Sequence, residues 1–310
     1  MSCKLEHLHP LCLALSLGSW SIACLPSHAQ EQGVSPTSDL TSTLTLSKTK
    51  AQPFAQTPAP DATYQPLHRQ GSDRQPFRPR LLPLQTNEPR YLSAPGITVI
   101  TPSAYGTSNN TISVGFGFQA RTRFTNQADG VLGAKLGLGD PQKNIGLEVG
   151  IVWVDLDNPG DGFFTAKLHK QLPRRLSIAV GVLGAGQFGE TDSGTSVYGV
   201  ISQRFLFNPD PTQPLSQMDL SVGLGNGQFR SEAQVQRDEA TVGVFGGVAV
   251  RLAEPISAIA EWTGQDLTLG LSWVPFPDLP LVITPAVTDL TGNAGDGTRF
   301  ILGASYSAQF

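Results

Sequence analysis

The sequence predicts an all-β chain, a closed antiparallel transmembrane β-barrel of about twelve strands. Three observations carry that prediction. From Thr111 onward, apolar residues fall at alternate positions in segments of about 9 to 14 residues, the period of a strand with one apolar face. Charged residues are only 15 % of the chain, where a soluble domain carries roughly 25 %. The final segment alternates through to an aromatic residue, Phe310.

The chain opens with an export signal. Lys4 precedes an apolar stretch from Leu11 to Leu25, and Ser27-His28-Ala29 puts small residues before Gln30. That layout predicts a secretory signal peptide over 1–29. Two alternatives stay open: a single anchoring helix, and lipidation at Cys24, since Ile22-Ala23-Cys24 loosely resembles a lipoprotein box with Ser21 in place of Leu. Cys3, Cys12 and Cys24 are the only cysteines. Cleavage after Ala29 leaves a chain with no thiol, which excludes a disulfide framework, structural zinc and thiol catalysis.

Residues 30–95 hold ten prolines, with Gln, Thr and Ser and almost no apolar periodicity. That composition predicts a disordered periplasmic linker. Its second half carries Arg69, Arg74, Arg78, Arg80 and Arg90. These are read as a solvated face or as an arm touching an acidic partner or the cell wall. Whether the linker enters the barrel is left open by the sequence.

The barrel is expected over 96–310. Ile112, Val114, Phe116 and Phe118 oppose Ser113, Gly115, Gly117 and Gln119, and the split recurs. Leu132, Ala134 and Leu136 oppose Gly133, Lys135 and Gly137; Leu220, Val222 and Leu224 oppose Asp219, Ser221 and Gly223. One face is aliphatic and the other small or polar, which suits lipid outside and a polar interior. The segments lie near 111–124, 130–139, 144–155, 162–170, 174–187, 195–206, 217–228, 240–251, 255–263, 266–275, 279–289 and 298–310. Turn residues separate them, as in Asp157-Asn158-Pro159-Gly160 and Pro275-Phe276-Pro277-Asp278. No connection exceeds about a dozen residues on this reading. Phe124, Trp153, Trp262, Trp273 and Phe300 fall at strand ends, where interfacial aromatics are expected.

The polar face defines the candidate site residues. Arg121, Arg123, Lys135, Lys167, Arg204, Arg251 and Arg299, with His169, are expected to line the lumen beside Glu148, Asp219, Glu261 and Asp266. Seven cations against four acids favour anions in a water-filled pore. Membrane lipid is the expected surroundings, and neither the charge balance nor any basic stripe points to nucleic acid.

The chemistry of an enzyme is not apparent. After cleavage the histidines are His68 in the linker and His169, which shares a face with Lys167 and Thr165. A hydrolase needs a nucleophile–His pair held by a third group, and a polar lumen residue is the plainer reading. Gly181-Val182-Leu183-Gly184-Ala185-Gly186 lacks the helix that a dinucleotide loop requires. Asp157, Asp161, Glu190 and Asp192 lack calcium-loop spacing. No cofactor, metal or catalytic residue is expected.

In the last segment Phe300, Leu302, Ala304, Tyr306, Ala308 and Phe310 share one face. A terminal aromatic on an alternating strand resembles the signal by which outer-membrane barrels are recognised by the barrel-assembly machinery, with Tyr306 and Phe310 as its residues. A second resemblance is narrower. Gly96-Ile97-Thr98-Val99-Ile100-Thr101-Pro102-Ser103-Ala104, followed by Thr111-Ile112-Ser113-Val114-Gly115, resembles the opening of YjbH-type barrels. Glu261-Trp262 with Asp266-Leu267-Thr268-Leu269-Gly270 resembles a strand–turn–strand of the same family. These resemblances imply residence in the outer membrane of a Gram-negative-type bacterium and a role in exopolysaccharide secretion. The chain departs from the family in lacking a second repeat half and in carrying the Pro-rich linker. The functional expectation is a passive channel or export conduit for polysaccharide or small anions. The alternative is a structural barrel tethered through its linker to the cell wall or a periplasmic partner.

Overall fold

The computed structural model describes residues 91–123, 126–154, 160–189, 191, 194–294 and 297–310. The expected signal peptide, the linker up to Arg90 with His68, and Phe124, Asp157, Glu190 and Asp192 lie outside the described residues.

Twelve antiparallel strands close into one barrel: β1 Thr111–Gln119, β2 Asp129–Leu138, β3 Gly146–Trp153, β4 Gly162–Leu172, β5 Leu176–Phe188, β6 Ser196–Leu206, β7 Gln217–Gly225, β8 Gly243–Ala253, β9 Ile256–Trp262, β10 Leu267–Trp273, β11 Leu281–Thr288 and β12 Arg299–Gln309. Each strand pairs with its neighbours in sequence. The seam is β1 against β12, in unbroken register from Thr111↔Gln309 to Gln119↔Ile301. Closure removes the free edges that an open sheet would expose. The register shifts within β4–β5, between Gly162 and Ala166, and again beside Arg251 in β8–β9. No helix is long and apolar enough to cross a membrane among the described residues.

The strands' period of two sorts their side chains as expected on the outside. Ile112, Val114, Leu132, Leu168, Val180, Ile201, Val222, Leu271 and Phe300 are exposed apolar residues on the outer wall. The interior differs from the expectation of a mainly polar lumen. Val131, Val152, Phe163, Tyr198, Phe245, Ile259 and Ile301 are buried beside the polar groups. Tyr198, Phe229 and Phe245 form an aromatic cluster, with the rings of Phe229 and Phe245 stacked at 4.2 Å. Inward Gly223 and Gly225 leave the room that these rings fill.

The two mouths are unlike. At the mouth where β1 begins and β12 ends, the connections 173–175 and 254–255 are minimal. At the opposite mouth the β7–β8 connection runs from 226 to 242 and carries the one-turn helix α1, Glu232–Gln236. That connection is longer than the sequence reading allowed. Gly227–Phe229 and α1 turn back over the mouth and seat Phe229 in the aromatic cluster, rather than prolonging β7 and β8.

Candidate functional site

The lumen is the candidate site, and a segment of the chain itself occupies it. Residues 91–110 contain neither helix nor strand, yet nearly all of 93–108 is buried. Pro95 and Pro102 exclude regular strand pairing there. The segment begins at the β1 mouth, where the Leu92 amide donates to Pro277 O at 2.8 Å. It passes β10, with the Gly96 amide on Ser272 Oγ at 2.7 Å. Deep in the barrel it meets Glu261 of β9. Three consecutive amides, Val99, Ile100 and Thr101, donate to that carboxylate at 2.9, 2.5 and 3.2 Å, and Thr101 Oγ1 donates at 3.0 Å.

The segment then turns at Pro102 and descends the other side. The Ala104 amide donates to Ser202 Oγ of β6 at 2.9 Å, and Lys167 Nζ of β4 donates to Tyr105 O at 2.9 Å. The Thr107 amide reaches Glu148 Oε2 of β3 at 2.7 Å. Asn109 returns to the mouth it started from, its amide on Gly139 O at 2.9 Å, and β1 follows. The segment therefore enters and leaves by one mouth. Two glycines permit its close approach: a Cβ on Gly106 would lie 2.6 Å from His169 Nε2, and one on Gly137 would strike the Thr107 backbone. The linker was expected to reach residue 95 and the barrel to begin at 96. Instead Ser93 and Pro95 are already buried within the barrel, and 96–110 belongs to its contents rather than its wall.

The expected lumen residues fall into three groups. Near the β1 mouth Glu148 sits between Lys135 Nζ and Lys167 Nζ, both at 3.3 Å, with His169 Nε2 3.3 Å from Thr107 O. On the next wall Arg204 Nε donates to Asp219 Oδ1 at 2.8 Å, and its guanidinium lies 5.0 Å from the Tyr105 ring centre. Arg251 lies one strand further, buried. Glu261 faces the inserted segment, as described.

The third group closes the far mouth. Asp289, 1 % exposed, accepts from Arg123 at 3.1 Å and Arg299 at 2.8 Å. Arg299 Nη1 also donates to Gln119 Oε1, and Arg123 Nη1 to Gln265 Oε1, with Glu232 of α1 3.8 Å from Arg123. Arg121 sits at the rim and donates to Gly297 O and Thr298 O at 3.0 and 3.2 Å. Asp266 precedes β10 and binds the β11–β12 connection, accepting from the amides of Thr291, Asn293 and Ala294. Burial pushes its carboxyl up, but these hydrogen bonds outweigh that and hold it below the ordinary carboxylate value.

Sequence reasoning missed Asp289, the hub of the far group. Thr288 and Asp289 both point inward because Asp289 has a φ of 57°, which breaks the alternation that would have assigned it. Gln119 and Gln265 carry no charge to mark them. Among the described residues, no group of three or more His, Cys, Asp and Glu side chains is placed to hold a metal. Gly181–Gly186 lies within β5, so no helix follows it.

Closed strands with an apolar outer wall define the class: a twelve-stranded antiparallel β-barrel with a segment of its own chain in the lumen. No protein-family model matches the chain, and no curated protein matches it in sequence. Among solved structures it is similar to Neisserial surface protein A, at 12 % identity and a TM-score of 0.22, over 66 % of this chain and 100 % of that one. A likeness at that level carries no argument about what the lumen does.

Proposed function

We propose that the chain is a bacterial outer-membrane β-barrel, stoppered at rest by its own residues 91–110 and acting as a conduit when they withdraw and the side chains of the far mouth part. The segment's course through the lumen is the observation that carries this reading. The exposed aliphatic wall supports a lipid environment, because in water such a band is a binding or aggregation surface. The first strand begins and the last strand ends at the β1 mouth, which suits the periplasmic side and puts the N-terminal linker there. Tyr306 and Phe310, both on the outer face, suit recognition by the barrel-assembly machinery.

Withdrawal is supported by the kind of contact the segment makes. Its hydrogen bonds to the wall run largely through its backbone to Glu261, Glu148, Ser202, Ser272 and Lys167, groups that water solvates once freed. Its apolar seat is in two parts: Ile97, Val99 and Tyr105 against Ala249 and Ile259, and Ala104 against the cluster of Tyr198, Phe229 and Phe245. Polysaccharide is the cargo suggested by the resemblance of 96–104 to YjbH-type barrels. No catalytic role forms part of this reading. A second reading, a structural barrel that tethers a periplasmic arm, is favoured by the Arg123–Asp289–Arg299 closure of the far mouth.

Planar-bilayer conductance of the mature chain, beside a variant lacking 92–105, separates them. The conduit reading expects a silent parent and a conducting deletion. Silence from both, with the deletion variant still heat-modifiable on gels, favours the tether. A parent that conducts as freely as the deletion contradicts the stopper.

A further inference from the structure

We infer that the β1 mouth carries an oxyanion-binding site built on Arg251 and Arg204, for a ligand bearing a phosphate, sulfate or carboxylate group. Arg251 is 7 % exposed, and its Nε is buried with no hydrogen-bond partner. Its one side-chain hydrogen bond among the described residues runs from Nη1 to Glu254 O at 3.1 Å. A buried guanidinium without a paired anion carries a desolvation cost, so native interiors pair such groups or bind an ion to them.

The neighbouring acids do not fill that place. Asp219 is held by Arg204 Nε at 2.8 Å and by Gln217 Nε2 at 2.5 Å. Glu254 gives Arg251 its backbone carbonyl at 3.1 Å. The charges that bear on Arg251 are Arg204, Asp219 and Glu254, so a second guanidinium flanks it on the same wall. The Leu215 amide, in the β6–β7 connection, donates to Arg251 O at 2.8 Å, which fixes that connection against β8. The free Nε–H of Arg251, with the Arg204 guanidinium beside it, forms a cationic donor set suited to an oxyanion, which accepts from several donors at once.

The place gives the site a use. Ala249, on the same face of β8 as Arg251, packs with Tyr105 of the inserted segment, and Arg204 lies over that ring. An oxyanion drawn to Arg204 and Arg251 therefore binds beside the segment's seat, at the mouth through which the segment would leave.

The test is calorimetric titration of the detergent-refolded mature protein with inorganic phosphate and, separately, with glucuronate. Saturable binding of at least one is expected, weakened at least about ten-fold in Arg251→Gln, as loss of a partner in a buried charge pair does. Arg251→Lys should retain part of it, and Lys143→Gln, at an exposed position, should retain all of it. Preference for phosphate points to a phosphorylated ligand, and preference for glucuronate to an acidic sugar. If Arg251→Gln loses heat-modifiable migration, Arg204→Gln replaces it as the reporter. No saturable heat with either probe, or unchanged affinity in the charge-removing variants, overturns the site. Neither result depends on conductance, so the stopper reading stands or falls separately.

Discussion

The two ends of the lumen are closed by different means. At the far mouth the closure is made of side chains: Asp289 between Arg123 and Arg299, and the rings of Phe229, Phe245 and Tyr198. From the β1 mouth it is made of backbone, the amides and carbonyls of 91–110 held by wall residues such as Glu261, Glu148 and Lys167. A side-chain closure is part of the wall, and its removal weakens the barrel itself. A backbone closure made by one strap is a separate body, and it can leave the barrel standing. Stability should therefore respond at the first end, and segment occupancy at the second.

The largest effect expected is Asp289→Ala, which leaves Arg123 and Arg299 buried without their shared acid. Breaking a buried ion pair from one side costs about 3–5 kcal/mol. Urea unfolding followed by heat-modifiable migration should show the whole barrel weakened by that order; a change near zero would mean that the far mouth is not a structural closure.

Glu261→Ala should act on the other body. It strips the acceptors from three amides, and a buried donor left unsatisfied costs about 1–3 kcal/mol. Exchange of the Val99, Ile100 and Thr101 amides should accelerate by about ten-fold or more, while the strand amides of β1–β12 stay protected. Uniform acceleration across the barrel would erase the distinction between the two closures. Gly106→Val should give a smaller loss, about 1–3 kcal/mol, because the new side chain meets His169 and Lys167. Proteolysis within 91–110 should rise while the barrel remains resistant, and equal resistance to the parent would count against the close approach.

The smallest effect is set by pH at Asp266. Its folded carboxyl titrates below the unfolded value of about 3.9. Its hold on the β11–β12 connection is therefore present above that pH and lost as pH falls through the lower, folded value. Protection of the Thr291 and Asn293 amides, corrected for intrinsic exchange, should drop on acidification below about pH 4. Protection that holds or rises there would show that the carboxylate does not pin the connection.

Much of the wall was legible and little of its contents. Alternation and turn spacing together marked about twelve strands, the fourth and sixth poorly, which left ten or fourteen open; elsewhere lipid-facing Val114, Val180 or Leu271 must be apolar whatever else the chain does. Ends were overrun where loops are themselves apolar or ordered, as at 226–242, where Phe229 folds inward rather than extending β7. The lumen charges were legible because a charged residue on the small-residue face has nowhere else to point. What they bind was not. Val99, Ile100 and Thr101 have no period, and their amides carry no mark in the sequence; Glu261 selects them by position alone. Asp289 was hidden for a related reason, its left-handed backbone placing two successive side chains on one face.

Residues 91–110 lie inside the barrel, and a disulfide tests that placement. Ala104 and Ser202 are joined by a 2.9 Å hydrogen bond from the segment to the inner wall of β6. In a chain freed of Cys3, Cys12 and Cys24, Ala104→Cys with Ser202→Cys should cross-link rapidly under mild oxidant, with heat-modifiable migration retained. A folded barrel in which that pair stays reduced, while cysteine at 104 reacts freely with a bulky water-soluble thiol reagent, would place the segment outside and contradict the account.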